Sequence, residues 1–95
     1  ATRNTVLTAI DLLREQGPQL ERPYVGKITN SKLKNMKELR PQSNSGGHVR
    51  VLFAFDPDRK AILLVAGDKA GQWQKWYKKH IPLAEETYAR YRETR

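Results

Sequence analysis

Along the first sixteen positions, apolar residues recur with helical spacing: Val6, Ala9, Ile10 and Leu13 fall at i, i+3, i+4 and i+7, and Gly17-Pro18 follows. This predicts an amphipathic helix over 2–16 with one buried stripe, closed by the glycine and proline. Leu20, Arg22 and Pro23 read as a loop, and the stretch from Tyr24 to Asn35 holds too much Lys, Asn, Gly and Ser to predict a regular element. Met36 to Arg40 reads as a short strand stopped by Pro41, and Gln42 to Gly47 as a turn. From His48 the period becomes two: Val49, Val51, Phe53 and Phe55 alternate with Arg50, Leu52 and Ala54. The larger apolar set is expected to pack on the core, with Arg50 pointing from the opposite face. Asp56-Pro57-Asp58-Arg59-Lys60 predicts a hairpin turn, and Ala61 to Ala66 an apolar central strand that Gly67 to Gly71 breaks. Gln72 to His80 predicts a short helix or turn, and Pro82 opens a last helix with Ala84, Tyr88 and Tyr91 on one face. Glu85 and Glu86 near that helix's start and Arg90, Arg92 and Arg95 near its end suit the helix dipole. Helix, strands, helix is the order of an α+β domain with a small antiparallel sheet.

Length and composition narrow this picture. Ninety-five residues suit one domain over 1–95, and with 38% hydrophobic residues the chain is too apolar for a disordered basic tail. No run approaches the length of a membrane span. There is no cysteine, which excludes a disulfide framework and a zinc ribbon, and His48 and His80 are too far apart in sequence to suggest a metal site. No metal or other cofactor is therefore expected, and a reducing cytoplasm is the expected location.

The net charge of +8 is local. Residues 22–50 carry Arg22, Lys27, Lys32, Lys34, Lys37, Arg40 and Arg50 against Glu38 alone, and residues 69–80 carry Lys69, Lys75, Lys78 and Lys79 with no acid. The rest of the chain is nearly balanced. If the two spans meet, they form one cationic groove for a polyanion; a merely solvated basic face would more usually mix signs.

Nothing in the chain matches the Ser-elbow, phosphate-loop or dinucleotide motifs, and no pair of acids is placed like a glycosidase dyad or a magnesium site. What remains is cations on a sheet. If Leu33 and Leu39 face the core, then Lys34, Met36, Glu38 and Arg40 share the open face, and Arg50 joins them. Such a face suits cleavage of RNA without metal, in which a ribose 2′-hydroxyl attacks its own adjacent phosphate. A base must take the hydroxyl proton, a cation must stabilise the phosphorane, and an acid must protonate the leaving 5′-oxygen. Arginine suits the second role, because its fork matches two phosphate oxygens and stays charged. Simple phosphate binding, or pairing with Glu38, accounts for Arg40 and Arg50 equally well. His48 is a minor candidate base, and His80 is expected to help end the short helix. Trp73, Trp76 and Tyr77 interleave with Lys75, Lys78 and Lys79 as in binders of unpaired bases, with packing on the sheet as the alternative. One of the three aromatics should be exposed and at least one tryptophan should be core.

Taken in order, Met36-Lys37-Glu38-Leu39-Arg40-Pro41, Val49 to Pro57, Leu63 to Gly71, Trp76-Tyr77 and Ile81-Pro82 form a recognisable set of blocks. From Thr2 to about Tyr91 the chain resembles the phage-derived Gp49-like, HigB-type branch of the RelE/ParE toxin superfamily. The resemblance implies a RelE-like sheet of about three to four strands packed against an N-terminal and a C-terminal helix. It also implies a toxin of a type II toxin-antitoxin system that cuts messenger RNA, commonly on the ribosome, and is neutralised by a cognate antitoxin, expected to be a helix-turn-helix DNA-binding protein. Carried over by position, the strand arginine of RelE-like toxins matches Arg50, the basic residues of the preceding strand match Lys37 and Arg40, and the basic residue after the next strand matches Lys69. Arg50, Lys69 and Arg40 are thus the expected catalytic set. Lys34, Lys37, Lys75 and Lys78 are expected to hold RNA, with Trp76 or Tyr77 stacking on a base. Members usually begin with a short strand and a helical stretch ahead of the segment seen here, so the sheet is expected to lack that edge strand. ParE-like inhibition of DNA gyrase and a non-catalytic RNA-binding module are the competing expectations.

Overall fold

A computed structural model describes residues 2–41, 48–68 and 73–94. Helix α1 (Thr2–Gln16) leads into a short 3-10 turn at Gly17–Gln19, and strands β1 (Val25–Lys27), β2 (Lys37–Leu39), β3 (Val49–Phe55) and β4 (Ala61–Asp68) precede helix α2 (Trp73–Glu93). The strands form one antiparallel sheet in the order β1-β2-β3-β4. This is the α+β architecture expected from the sequence.

Ala9 and Leu13 of α1 are fully buried, as the stripe predicts, and they pack with Leu20, Val25, Leu39, Val51 and Phe53 on one face of the sheet. Gly17 ends the helix with φ +56°, a conformation that costs a residue without a side chain little. The other face carries a second core of Met36, Leu52, Trp76, Ile81 and Ala84 beneath α2. The sheet is therefore covered on both sides, and the open face expected for Met36, Glu38 and Arg50 is roofed by α2. Strand β3 explains why: Val51, Leu52, Phe53 and Ala54 are all buried, so both of its alternating sets are core. Leu39 takes the α1 side as expected, whereas Leu33 precedes β2 and packs on the α2 side.

Three further elements differ from expectation. Residues 24–35 contain β1, three residues long, which pairs Val25 with Leu39 and Lys27 with Lys37. Its signal is too short for periodicity to reveal, and it is held by flanking bonds from Arg40 N–H to Tyr24 O (2.6 Å) and from Ile28 N–H to Met36 O (3.2 Å). Strand β4 is an edge strand running on to Asp68, with Leu63 43% exposed. A register shift opposite Leu52/Phe53 leaves Leu64 without a partner across the ladder, so neighbouring Leu64 and Val65 both reach the α2-side core. Finally, Pro82 lies inside a single 21-residue helix. The buried set Trp76, Ile81, Ala84 and Tyr88 runs across it, and this packing outweighs the lost hydrogen bond. His80 accordingly ends no helix. The expected turn at 42–47 lies outside the described residues.

Candidate functional site

The centre of the site is Glu38, whose carboxylate is carried to the α2 side of β2 because Lys37 and Leu39 take the other side. It is 4% exposed. Arg40 donates to its Oε2 from Nε (3.0 Å) and Nη2 (2.8 Å), and the Tyr77 hydroxyl of α2 donates to its Oε1. Arg50 Nε lies 3.9 Å from the same Oε1, while its Nη1 donates to Val49 O at 2.8 Å. A buried carboxylate is tolerable only with such partners. The two arginines differ in access: the Arg40 side chain is 34% exposed and that of Arg50 15%. Burial, then the hydrogen bond and charge of Glu38, push the Tyr77 phenol up to about 12 against the opposing pull of Arg50 and Arg40. Tyr77 is thus a hydrogen-bond donor at neutral pH, not a base.

Two glycines make the close approaches possible. Gly26 stands opposite Glu38 in the β1–β2 register and Gly67 opposite Arg50 in β3–β4. A Cβ on Gly67 would lie 2.6 Å from Trp76 Nε1, so the indole rests directly on the strand backbone. Trp76 also stacks on His80, with centroids 4.4 Å apart and planes 16° from parallel, and His80 Nδ1 is 2.8 Å from Trp76 O.

Beside Glu38 opens a groove of about 800 Å³ between the segment 27–32 and the first half of α2. Lys27, Lys32 and Lys78 contribute to its walls together with Trp73, Tyr77 and Pro82, so the two basic spans of the sequence do meet. Its far end is tied by Glu85, whose Oε2 accepts from Ser31 Oγ (2.8 Å) and the Lys32 N–H (2.6 Å).

Arg40, Arg50 and Tyr77 are thus brought together, and Lys78 lines the adjoining groove. Lys34 is exposed in the bend before β2, and Lys75 is exposed on α2. Lys37 lies on the α1 side of the sheet, with Nζ 5.6 Å from the Phe55 ring centroid. Trp76 is buried, and Trp73, 55% exposed, is the accessible indole, so one aromatic is exposed and one tryptophan is core as expected. His48 is exposed ahead of β3. Lys69 lies outside the described residues. The sequence marks Trp73 as a base-stacking candidate and Lys27 and Lys32 as part of the basic span 22–50, but it does not single out Gly26, for which a glycine within the short Val25-Gly26-Lys27 run is the one available signal. Among the described residues no three His, Asp or Glu cluster as metal ligands, and no helix is long and apolar enough to cross a membrane.

A small basic domain with a four-stranded antiparallel sheet between an N-terminal and a C-terminal helix, and arginines gathered on the sheet, has the architecture of the RelE-like class. The family described as "Phage derived protein Gp49-like (DUF891)" matches residues 1–89, and the chain belongs to that family, in its HigB-type branch. Two Mycobacterium tuberculosis proteins are similar to it. One, named "Putative toxin HigB3", is 55% identical over 82 residues, covering 86% of this chain and 69% of its own length. The other, "Putative toxin HigB2", is 51% identical over 88 residues, covering 93% of this chain and 44% of its own length. No solved structure matches.

Proposed function

We propose that this chain is the toxin of a type II toxin-antitoxin system and acts as a metal-independent messenger-RNA endoribonuclease on the ribosome. Its cognate antitoxin would be a helix-turn-helix protein, and its site of action the cytoplasm. The observation that carries this reading is the convergence of Arg40 and Arg50 on Glu38 beside a lysine-walled aromatic groove. RNA enters along Lys27, Lys32 and Lys78, with Trp73 or Tyr77 offering a ring to an unpaired base. Lys34 and Lys75 extend the cationic approach, while Lys37, over Phe55 on the α1 side, stands apart from the groove. Arg40, the more exposed arginine, takes the scissile phosphate, with Arg50 adding charge behind it. The 2′-oxygen attacks phosphorus, the bond to the 5′-oxygen breaks, and the products are a 2′,3′-cyclic phosphate and a 5′-hydroxyl. Lys69 assists with proton transfer. Tyr77 serves as a donor, since its raised pKa rules it out as the neutral-pH base.

The test is a purified translation reaction programmed with one message. The chain should yield fragments ending in cyclic phosphate, and Arg40→Ala should lower the rate by roughly 10²- to 10³-fold, as loss of a donor to a developing oxyanion does. Intact message would contradict the reading, and a block of DNA gyrase in its place would favour the ParE-like alternative.

A further inference from the structure

We propose that Gly26 is a positioning residue for Arg40, reserving the space in which its guanidinium is held against Glu38. The proposal rests on the ribonuclease reading above for its consequence, and on geometry alone for its cause. A Cβ built on Gly26 would lie 2.6 Å from Arg40 Cζ and 3.0 Å from Nε, with Nη2 closer still. The guanidinium therefore lies over bare backbone on one side while its Nε and Nη2 edge is engaged by Glu38 Oε2. Positive φ does not account for this glycine, because Gly17 is the one described glycine with that conformation. Nor does strand formation, since glycine weakens a strand interior. Space for Arg40 is the remaining reason.

The arrangement acts on one edge of the fork. Gly26 and Glu38 are register partners across β1 and β2, so the cradle is built from two directly opposed residues, and Arg40 follows β2 immediately. With its plane and one edge set, the cation is pre-oriented for phosphate and loses less freedom on binding. An added methyl at Gly26 meets the far end of a flexible side chain, so the fold can yield by releasing Arg40. Gly26→Ala is thus a substitution that changes no charge and displaces one guanidinium.

The experiment compares the wild-type chain, Gly26→Ala, Arg40→Ala and the double variant. Two readouts are needed: the NMR resonance of Arg40 Nε–H, and single-turnover cleavage on programmed ribosomes. Gly26→Ala should shift the Nε–H resonance away from its carboxylate-bonded position and lower the cleavage rate about tenfold, with KM little changed. In the Arg40→Ala background the same methyl should cost nothing further. An unmoved resonance, a wild-type rate in Gly26→Ala when Arg40→Ala is impaired, or additive losses in the double variant would each overturn the proposal. If the resonance moves but wild type cleaves no message, the positioning stands and the ribonuclease reading fails.

Discussion

At the scale of single residues, the account turns on one carboxylate and the groups that hold it. Glu38→Ala removes the shared acceptor of Arg40 and Tyr77 and the carboxylate that faces Arg50. We expect it to destabilise the fold by about 3 kcal/mol in urea unfolding, as breaking one side of a buried pair does, and Glu38→Gln to cost less because its amide oxygen still accepts. Tyr77 gives a second prediction. Its folded pKa of about 12 lies above the ordinary value of 10.0. The stabilising contribution is therefore fully present below pH 10 and is lost as pH rises through about 12. In an ultraviolet titration a tyrosinate step should appear near pH 12, and Tyr77→Phe should lower its amplitude by one tyrosine. An unchanged amplitude near pH 12 in the variant would refute the assignment. Arg59 supplies a third: it holds φ 65° in the β3–β4 turn, so Arg59→Gly should raise stability by roughly 0.5–1 kcal/mol by relieving left-handed strain.

At the scale of elements, Asp56 couples the β3–β4 hairpin to the end of α2. Its Oδ1 accepts from the Asp58 and Lys60 N–H groups, each at 2.9 Å, and its Oδ2 accepts from the Tyr91 hydroxyl at 2.9 Å. Asp56→Ala should therefore cost about 2–3 kcal/mol, since it strands three donors, and Tyr91→Phe should recover part of that loss when combined with it. A loss under 0.5 kcal/mol in thermal or urea melts would show that the hairpin stands alone. The sequence displayed the turn chemistry of Asp56 to Lys60 but could not display the partner, which lies 35 positions away. The same limit recurs elsewhere. Helix α1 was legible because Val6, Ala9, Ile10 and Leu13 repeat over about two turns, whereas β1 is three residues long and exists through its pairing with β2. Pro82 marked a boundary by local rule, yet α2 runs through it because tertiary packing of Trp76, Ile81, Ala84 and Tyr88 prevails. The apolar run in β4 suggested a central strand, but β4 lies at the sheet edge with no fully buried residue, and Leu64 and Val65 reach the core beneath α2.

At the scale of the whole molecule, the charge distribution foretold the groove better than any motif did. Residues 22–50 and 69–80 hold the excess, and Lys27, Lys32 and Lys78 from those spans line one cavity. Alternation placed Glu38 and Arg50 on the same side of the sheet. It could not show that α2 covers that side, because facing tells which residues share a surface and not what rests upon it. Binding of single-stranded RNA should accordingly weaken with salt, and replacing Lys32 and Lys78 together should flatten the slope of log K against log salt by about 1.4, at roughly 0.7 per phosphate contact. An unchanged slope would place the RNA elsewhere. The central claim is cleavage of messenger RNA by the arginine cluster, and the most direct measurement is a map of message 5′ ends after inducing the chain in a bacterial host, beside Arg40→Ala and Arg50→Lys. The account predicts new 5′-hydroxyl ends within translated messages that vanish in Arg40→Ala and fall sharply in Arg50→Lys, where charge is kept but the fork is lost. Growth arrest with messages intact, or identical ends from folded variants, would contradict it.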